Sequence, residues 1–255
     1  MSGHSKWSQI KRQKGLADQK RGQAFTKLAN AITIAVRAGG GITDPNSNFK
    51  LRLAIEKAKA LNMPKENIQR AIERAKGAGA RELEEVIYEG FGPSGVAILI
   101  EVATDNRQRT AQEIKNIFEN SGGRLAGPGA TAYLFQNVGM ISVALAGKTV
   151  DEVMEQAIEA GAQDLEEAGE EILIYTKPEE LHQVQEKLTQ AGLKIVEAEL
   201  TFKPVSTIPI TTSAEAAKIL SFLEKLEANE DVQRVFANFD IPDEILKGFT
   251  PKGLA

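Results

Sequence analysis

The sequence predicts an α+β protein of several domains, with an N-terminal three-helix domain followed by two ferredoxin-like α/β domains, one inserted in the other. Its 255 residues suffice for two or three domains. Residues 1–81 hold 17 Lys or Arg and five Asp or Glu, a net charge of +12, whereas residues 82–255 hold 14 and 30. Apolar residues recur at helical spacing in the first segment, and short strands alternate with helices in the second. Charge and spacing therefore change at the same place in the chain.

The first segment predicts three helices, each with one apolar face. Residues 25–36 carry apolar side chains at helical spacing, and the glycines at 39–41 end that helix. A turn at 44–47, which also holds an N-cap candidate, precedes a second helix that runs to Asn62, and Pro64 suits the first position of a third. Three lysines of the second helix are expected on its exposed side: Lys50, Lys57 and Lys59.

The second segment predicts strands joined by turns and single helices. Strands at 86–88 and 96–103 are connected by a Gly-rich turn, a helix begins at Asp105, and residues 131–135 are predicted to form another strand. Residues 137–203 then predict a complete β-α-β-β-α-β unit.

The end of the chain predicts how these units are connected. A helix at 214–228 and a strand at 232–239 have no partners of their own, so we expect them to complete the sheet begun at 83–136. The β-α-β-β-α-β unit is then inserted in the middle domain. The predicted domains are residues 1–81, residues 82–136 with 204–246, residues 137–203, and a C-terminal tail at 247–255.

The basic segment predicts a polyanionic partner, of which nucleic acid is the commonest. The alternative is a solvated basic face without a partner. We predict nucleic-acid contacts from eleven residues: Lys6, Trp7, Lys11, Arg12, Lys14, Lys20, Arg21, Lys27, Arg37, Arg70 and Arg74. Trp7, the only tryptophan, stacks on a base in one interpretation and pins the N-terminal arm onto its own domain in the other.

The spread of these cations favours contact with phosphates over reading of a base sequence. The Met63-Pro64 joint between the second and third predicted helices has the length of a helix-turn-helix turn. The third helix, however, opens with Lys65, Glu66 and Asn67. This set is poorly suited to reading base edges, because the negatively charged nucleic acid repels the carboxylate of Glu66. A major-groove recognition helix stays an alternative.

A second contact is predicted at Arg107 and Arg109. Asp105 is expected to cap the helix that follows, and in that interpretation the two arginines are simply solvated. Capping does not require arginines in an otherwise acidic domain, however. We therefore also expect Arg107 and Arg109 to contact RNA, another domain or a protein partner.

The sequence contains no residue pattern that predicts catalysis. Gly90–Gly95 matches a dinucleotide-binding motif, but it precedes a strand and contains a proline, so we expect a hairpin turn. Gly147–Thr149 lacks the earlier glycine of a phosphate loop. The only histidines, His4 and His182, lie in different predicted domains, and Glu166–Glu171 is expected to form a solvated loop. We predict no enzyme, no cofactor and no metal site, and an enzyme that uses the acidic segment is the outside alternative.

Composition predicts the compartment. The chain has no cysteine, which fits a reducing environment. It has neither an apolar N-terminal run nor a stretch of about 18 apolar residues, so we expect a soluble cytoplasmic protein without membrane contact. No self-complementary interface is evident, and we expect a monomer or a weak oligomer.

Several motifs together resemble the YebC/PmpR family along essentially the whole chain. They lie at residues 2–7, 20–22, 25–28, 39–41, 88–93, 104–110 and 132–135. Two stretches depart mildly from the family pattern, Gly129-Ala130-Thr131 and Phe49-Lys50-Leu51, and neither removes a predicted nucleic-acid contact.

The resemblance implies a helical domain and two α/β domains, one inserted in the other, and no enzymatic activity. Family members are described as DNA-binding transcriptional regulators, while a mitochondrial branch is known as a translational activator and bacterial members act on ribosomes. The residues leave DNA and ribosomal RNA open, because Lys and Arg bind phosphate on both. Acidic domains would be repelled from a long duplex, so the ribosome is the preferred working site. A protein-interaction adaptor is a further alternative.

Overall fold

The computed structural model describes residues 21–76 and 83–246. The first range forms a helical unit of three helices: α1 (Arg21–Ala38), α2 (Phe49–Ala60) and α3 (Lys65–Lys76). Helix α1 packs against both others around a buried core that includes Leu28, Ile32, Val36, Leu51, Ile55, Ile68 and Ile72. Within each helix these residues recur every three or four positions, so each helix turns one apolar face inward, as the sequence predicts.

Asn48 fixes the turn between α1 and α2. Its Oδ1 accepts a hydrogen bond from the backbone nitrogen of Leu51 and caps α2, one residue after the turn in which the cap was predicted. Its amide nitrogen donates to the carbonyl oxygens of Ala35 and Ile42. A Cβ atom on Gly39 would collide with this amide group. Position 39 therefore requires glycine, because the Asn48 side chain approaches it too closely to leave room for a Cβ atom.

The second range forms strands and helices in alternation. In chain order they are β1 (Glu84–Phe91), β2 (Ala97–Thr104), α4 (Arg107–Asn120), β3 (Arg124–Ala126), β4 (Phe135–Ala144), α5 (Val150–Ala160), β5 (Asp164–Ala168), β6 (Glu171–Thr176), α6 (Leu181–Gln190), β7 (Lys194–Pro204), β8 (Ile208–Pro209), α7 (Ser213–Ala228), β9 (Val232–Ala237), β10 (Phe239–Asp240) and α8 (Asp243–Leu246).

Two four-stranded sheets organise these elements. The first has the strand order β3-β1-β2-β9 and the second the order β5-β6-β4-β7, with all neighbouring strands antiparallel. Every strand of the second sheet lies between β3 and β9 in the sequence, so one α/β unit is inserted in the other. The predicted fold class is confirmed. We refer to the first sheet with α4 and α7 as the middle unit, and to the second sheet with α5 and α6 as the inserted unit.

Helices cover one face of each sheet. In the middle unit, Phe118 of α4 and Phe222 of α7 meet edge to face, with ring centroids 4.9 Å apart, in a core shared with β2. In the inserted unit, Val153 of α5 and Leu188 of α6 pack against apolar residues of β4 and β6. Each unit therefore has its own buried core.

The predicted strand at 131–135 is wrong for all but its last residue. Residues Ala132–Leu134 form a short 3₁₀ helix, and β4 begins at Phe135 and continues through 136 and 137, where the domain boundary is predicted. The physical reason is Glu89 on β1. Its buried carboxylate accepts hydrogen bonds from three backbone nitrogens that lie just before β4, those of Gly129, Thr131 and Ala132. These nitrogens are therefore not available for the hydrogen bonds of a strand.

The solvated loop predicted at Glu166–Glu171 is instead a hairpin, in which β5 and β6 pair across a tight turn. Glu166 accepts hydrogen bonds from the Lys203 ammonium at 2.9 Å and from the Tyr175 hydroxyl at 3.1 Å. A lysine on a distant strand thus compensates part of the negative charge, and this allows an acidic segment to form a strand.

Lys57, predicted on the exposed side of α2, joins the helical unit to the inserted unit. Its Nζ lies 2.7 Å from Glu199 and 2.9 Å from Glu197, both on β7. Burial alone would lower the pKa of Lys57, but the two carboxylates outweigh it and raise the pKa above its ordinary value. Phe49 of α2 also packs against the ring of His182 on α6, with centroids 5.5 Å apart. Helix α2 is therefore fixed against the inserted unit.

Candidate nucleic-acid interface

The structure describes five of the eleven residues that are predicted to contact nucleic acid. Lys6, Trp7, Lys11, Arg12, Lys14 and Lys20 lie outside the described residues, and Arg21 is the first residue of α1. The other four belong to α1 and α3: Lys27, Arg37, Arg70 and Arg74.

Lys27 faces the middle unit. Its Nζ donates a hydrogen bond of 2.6 Å to the carbonyl oxygen of Glu227, in the last turn of α7. A cation at this end of a helix is stabilised by the carbonyl dipoles there. Lys27 thus attaches the helical unit to the middle unit, a role that its place in a basic segment did not reveal.

Arg70 and Arg74 lie one helical turn apart on α3, at a groove between α1 and α3 of about 290 Å³. The rest of the lining combines apolar and polar side chains: Phe25, Ala29, Met63, Ala71, Thr26 and Asn67. Sequence reasoning missed the contribution of α1 to this site, because its apolar residues were all assigned to the core. The groove brings together two of the predicted cations and surrounds them with residues able to contact a flat ligand.

Both arginines of the groove bind neutral oxygens. Nη2 of Arg70 donates to Oδ1 of Asn67 at 2.6 Å, and Nη2 of Arg74 donates to Oδ1 of Asn30 at 2.7 Å. Within residues 21–76 and 83–246, no carboxylate lies at ion-pair distance from either guanidinium. The amide side chains therefore orient the two guanidinium groups without cancelling their charge.

Arg37 adds a third positive charge beside Arg74. Its Nη1 donates to the carbonyl oxygen of Leu83 at 3.5 Å, which is again a neutral acceptor. Burial, and after it repulsion from Arg37, lower the pKa of Arg74. An anion bound in the groove would relieve this repulsion, so the arrangement favours an anionic ligand.

Several cations of the other two units are arranged differently. Closely paired examples are Arg109 with Asp231 at 2.6 Å, Arg234 with Glu101 at 2.5 Å, and Lys203 with Asp164 at 2.7 Å. These charges are largely compensated inside the protein. Arg70 and Arg74 differ from these paired cations in that their side-chain partners are neutral amides.

The residue that caps α4 is Asn106, not the predicted Asp105. Its Oδ1 accepts a hydrogen bond from the backbone nitrogen of Arg109 at 3.1 Å. Arg107 pairs with a glutamate of β1, and Arg109 lies 3.2 Å from Asp105 and 2.6 Å from Asp231. Both arginines thus have partners inside the middle unit, and an external contact at this position stays a prediction.

Replacing Arg109 with alanine should lower the free energy of unfolding by about 1–2 kcal/mol, because the half-buried Asp231 would lose its cationic partner. Arg109 is 42% exposed, which keeps the effect below that of a fully buried ion pair. Arg107→Ala is the control, since that side chain is 61% exposed and should cost less than about 0.5 kcal/mol. Urea denaturation measures both. Unchanged stability with loss of nucleic-acid binding would support the external contact instead.

The motifs that suggested other chemistry have structural roles. Gly90 and Phe91 are the last residues of β1, and the rest of the motif, through Gly95, forms the predicted turn to β2. Thr149 caps α5 in a reciprocal arrangement with Glu152. Across the described ranges, no three histidine or acidic side chains cluster as metal ligands. In the same ranges, no helix has both the length and the apolar character needed to cross a bilayer.

The fold and the groove define a three-part α+β protein with a cationic helical unit. Residues 5–78 match the family described as TACO1/YebC protein N-terminal domain, and residues 83–239 match the one described as TACO1/YebC second and third domain. The chain belongs to the TACO1/YebC family, as its resemblance to YebC/PmpR proteins indicates.

Relatives are similar along nearly their whole length. A probable transcriptional regulatory protein of Rubrobacter xylanophilus is 48% identical over 96% of this chain and 98% of its own. One of the same description from Acidithiobacillus ferrooxidans is 51% identical over 96% of each chain. The crystal structure of a conserved hypothetical protein from Aquifex aeolicus superposes with a TM-score of 0.82 at 44% identity, covering 89% of this chain and 93% of that one.

Proposed function

We propose that this protein is a non-enzymatic cytoplasmic regulator of gene expression that binds nucleic acid through residues 1–81, with ribosomal RNA as its preferred working site. The observation that carries the proposal is the contrast in charge pairing. Arg37, Arg70 and Arg74 hydrogen-bond neutral oxygens, whereas Arg109 and Arg234 of the middle unit are held by carboxylates. Among the described residues these three arginines have no carboxylate partner, and cations of this kind are suited to bind phosphates.

The relatives' description as probable transcriptional regulatory proteins favours a second candidate, regulation through DNA. The charge distribution supports RNA instead. Residues 82–255 carry 30 Asp or Glu against 14 Lys or Arg, and so extensive an acidic part is repelled by a long uniform duplex. A folded RNA surrounded by proteins can accept a cationic segment in one place and acidic units in another.

Charge reversal at Arg70 and Arg74 should weaken binding of a labelled RNA fragment and make it less sensitive to salt. With about six phosphate contacts, the slope of log affinity against log salt should be near −5 for duplex DNA and near −4 for single-stranded RNA, and the double variant should make it less steep by about 1.5 to 2 units. The matched control is Lys218→Glu with Lys225→Glu, which changes the net charge equally at two exposed lysines of α7. Fluorescence anisotropy at several salt concentrations measures the slopes.

The control separates a defined site from a general effect of charge. Equal weakening by both pairs of substitutions would mean that net charge alone governs binding, and the proposed interface would be wrong. Crosslinking followed by sequencing of the bound nucleic acid in growing cells decides between the two partners. Recovery of promoter DNA without ribosomal RNA would exclude the ribosome as the working site.

A further inference from the structure

The groove between α1 and α3 has the chemical composition of a site for a single nucleotide. Phe25 offers an aromatic ring, Met63 a polarisable thioether, and Thr26 and Asn67 polar groups at the same groove. Arg70 and Arg74 supply two guanidinium groups oriented by Asn67 and Asn30. A nucleotide presents the matching set, because its base has flat apolar faces and polar edges and its phosphate is anionic.

The size of the groove excludes a duplex as the occupant. Its volume of about 290 Å³ is at the lower limit for small-ligand pockets, and the groove is a depression between helices rather than a projecting element. Bases inside a duplex are stacked and paired, so their faces cannot reach a depression of this kind. A base from a loop, a bulge or a single strand has its faces free.

Charge does not favour the chain's own N-terminal residues as the occupant. The twenty residues before Arg21 carry five Lys or Arg and one acidic residue, Asp18, so their net charge has the same sign as that of the groove's arginines. An acidic peptide would satisfy Arg70 and Arg74, but it makes no particular use of the ring of Phe25. A nucleotide uses both features.

We propose that the groove between α1 and α3 binds one unpaired nucleotide, with its base against Phe25 and its phosphate on Arg70 and Arg74. This rests on the proposed nucleic-acid function and adds a preference to it, namely unpaired RNA or DNA over a duplex. The arginines then provide affinity for any phosphate backbone, and the ring provides the selection for an exposed base.

The test compares a twelve-nucleotide uridine RNA with a blunt duplex of the same strand length, both labelled with fluorescein, at the same series of salt concentrations. Wild-type protein should bind the single strand more tightly. Phe25→Leu keeps an apolar side chain but removes the ring, so it should weaken single-strand binding about five- to tenfold and leave duplex binding and the salt slope unchanged. Thr26→Ile at an exposed position should narrow the groove and have the same selective effect.

Each outcome separates this proposal from the function on which it rests. If charge reversal at Arg70 and Arg74 weakens both probes while Phe25→Leu and Thr26→Ile weaken neither, the protein binds nucleic acid but the nucleotide site is wrong. If none of these variants changes binding, both proposals fail. Competition by a polyglutamate peptide as effective as that by the oligonucleotide would assign the groove to an acidic peptide. Thermal melts confirm folding, and crosslinks from 4-thiouridine should map to peptides of α1 and α3.

Discussion

Replacing Arg234 with methionine should lower the free energy of unfolding by about 3 kcal/mol, because the guanidinium balances two carboxylates that are poorly exposed to water. Nε of Arg234 lies 2.5 Å from Glu101 on β2, and Nη1 lies 3.7 Å from Glu199 on β7. Nη1 also donates to the carbonyl oxygen of Leu200. The side chains of Glu101 and Glu199 are only 13% and 12% exposed. Removal of the guanidinium therefore leaves the poorly hydrated carboxylate of Glu101 without this partner and leaves that of Glu199 with Lys57.

Arg124→Met is a closely matched control for this substitution. The guanidinium of Arg124 lies 5.3 Å from the ring centroid of Phe91, and that of Arg234 lies 5.2 Å from the ring centroid of Phe236. The two substitutions therefore remove similar ring contacts, and only Arg234→Met also removes ion pairs with buried carboxylates. Urea denaturation should show a small loss for the control. Equal losses would mean that Arg234 stabilises the protein through its ring contact and not through its ion pairs.

Glu199 should also couple the effects of substitutions in the helical unit and in the middle unit. Glu199 accepts from Lys57 of the helical unit and lies near Arg234 of the middle unit, while it belongs to a strand of the inserted unit. Substitutions at Lys57 and Arg234 should therefore be non-additive, because each changes the charge that the other must balance on Glu199. Additive effects would show that the two cations act independently.

Glu89→Gln should lower the free energy of unfolding by about 3 kcal/mol at pH 7. The Glu89 side chain belongs to a residue only 6% exposed, and it accepts hydrogen bonds from the backbone nitrogens of Gly129 and Thr131 at 2.6 Å and of Ala132 at 2.8 Å. A glutamine would turn an NH₂ group toward these donors. At least one buried N–H would then have no acceptor, and amide hydrogen exchange should accelerate at these three residues.

The pH dependence of this effect has a definite sign. Burial by itself raises the pKa of Glu89, but the hydrogen bonds from Thr131, Gly129 and Ala132 outweigh it and hold the pKa below its ordinary value. The stabilisation by Glu89 is therefore complete above the unfolded-state pKa, about 4.3, and is lost as the pH falls through the lower folded-state pKa. The difference in stability between wild type and Glu89→Gln should shrink below about pH 4.

Glu152→Gln tests whether burial matters for this result. Glu152 also accepts from a backbone nitrogen, that of Thr149, but the residue is exposed and its donor can turn to water. Its substitution should therefore cost much less than that of Glu89. A pH-independent difference for Glu89→Gln would contradict the role of the ionised carboxylate in holding the loop.

The sequence predicted the helices and the insertion well because these follow from local periodicity and from the number of elements. Each helix of the helical unit buries one stripe of apolar residues, and such a stripe is visible along the chain without knowledge of its partner. The insertion was predicted because the last helix and strand needed a sheet to join. The strand predicted at 131–135 was wrong because Glu89, more than forty positions earlier, accepts hydrogen bonds from the backbone nitrogens at the start of this segment.

Charge pairing was harder to predict, because it depends on which strands become neighbours. Lys57 and Lys27 have the same sequence character as Arg70 and Arg74, and all four lie in the basic segment. Only the tertiary structure shows that the two lysines hold the helical unit against the other units, while the two arginines line a groove. A net charge of +12 therefore overstates the number of cations that remain for a partner.

The pairing of β4 with β7 extends from Phe135 opposite Pro204 to Ala144 opposite Lys194, with one irregularity in register. The chain thus enters and leaves the inserted unit through two strands that lie side by side. A short connection from the residue before Phe135 to the residue after Pro204 would bypass the whole unit and leave all four strands of the middle sheet in place. Such a junction is a natural graft point, at which an ancestral gene could gain, lose or exchange an entire module without redesigning the rest of the fold.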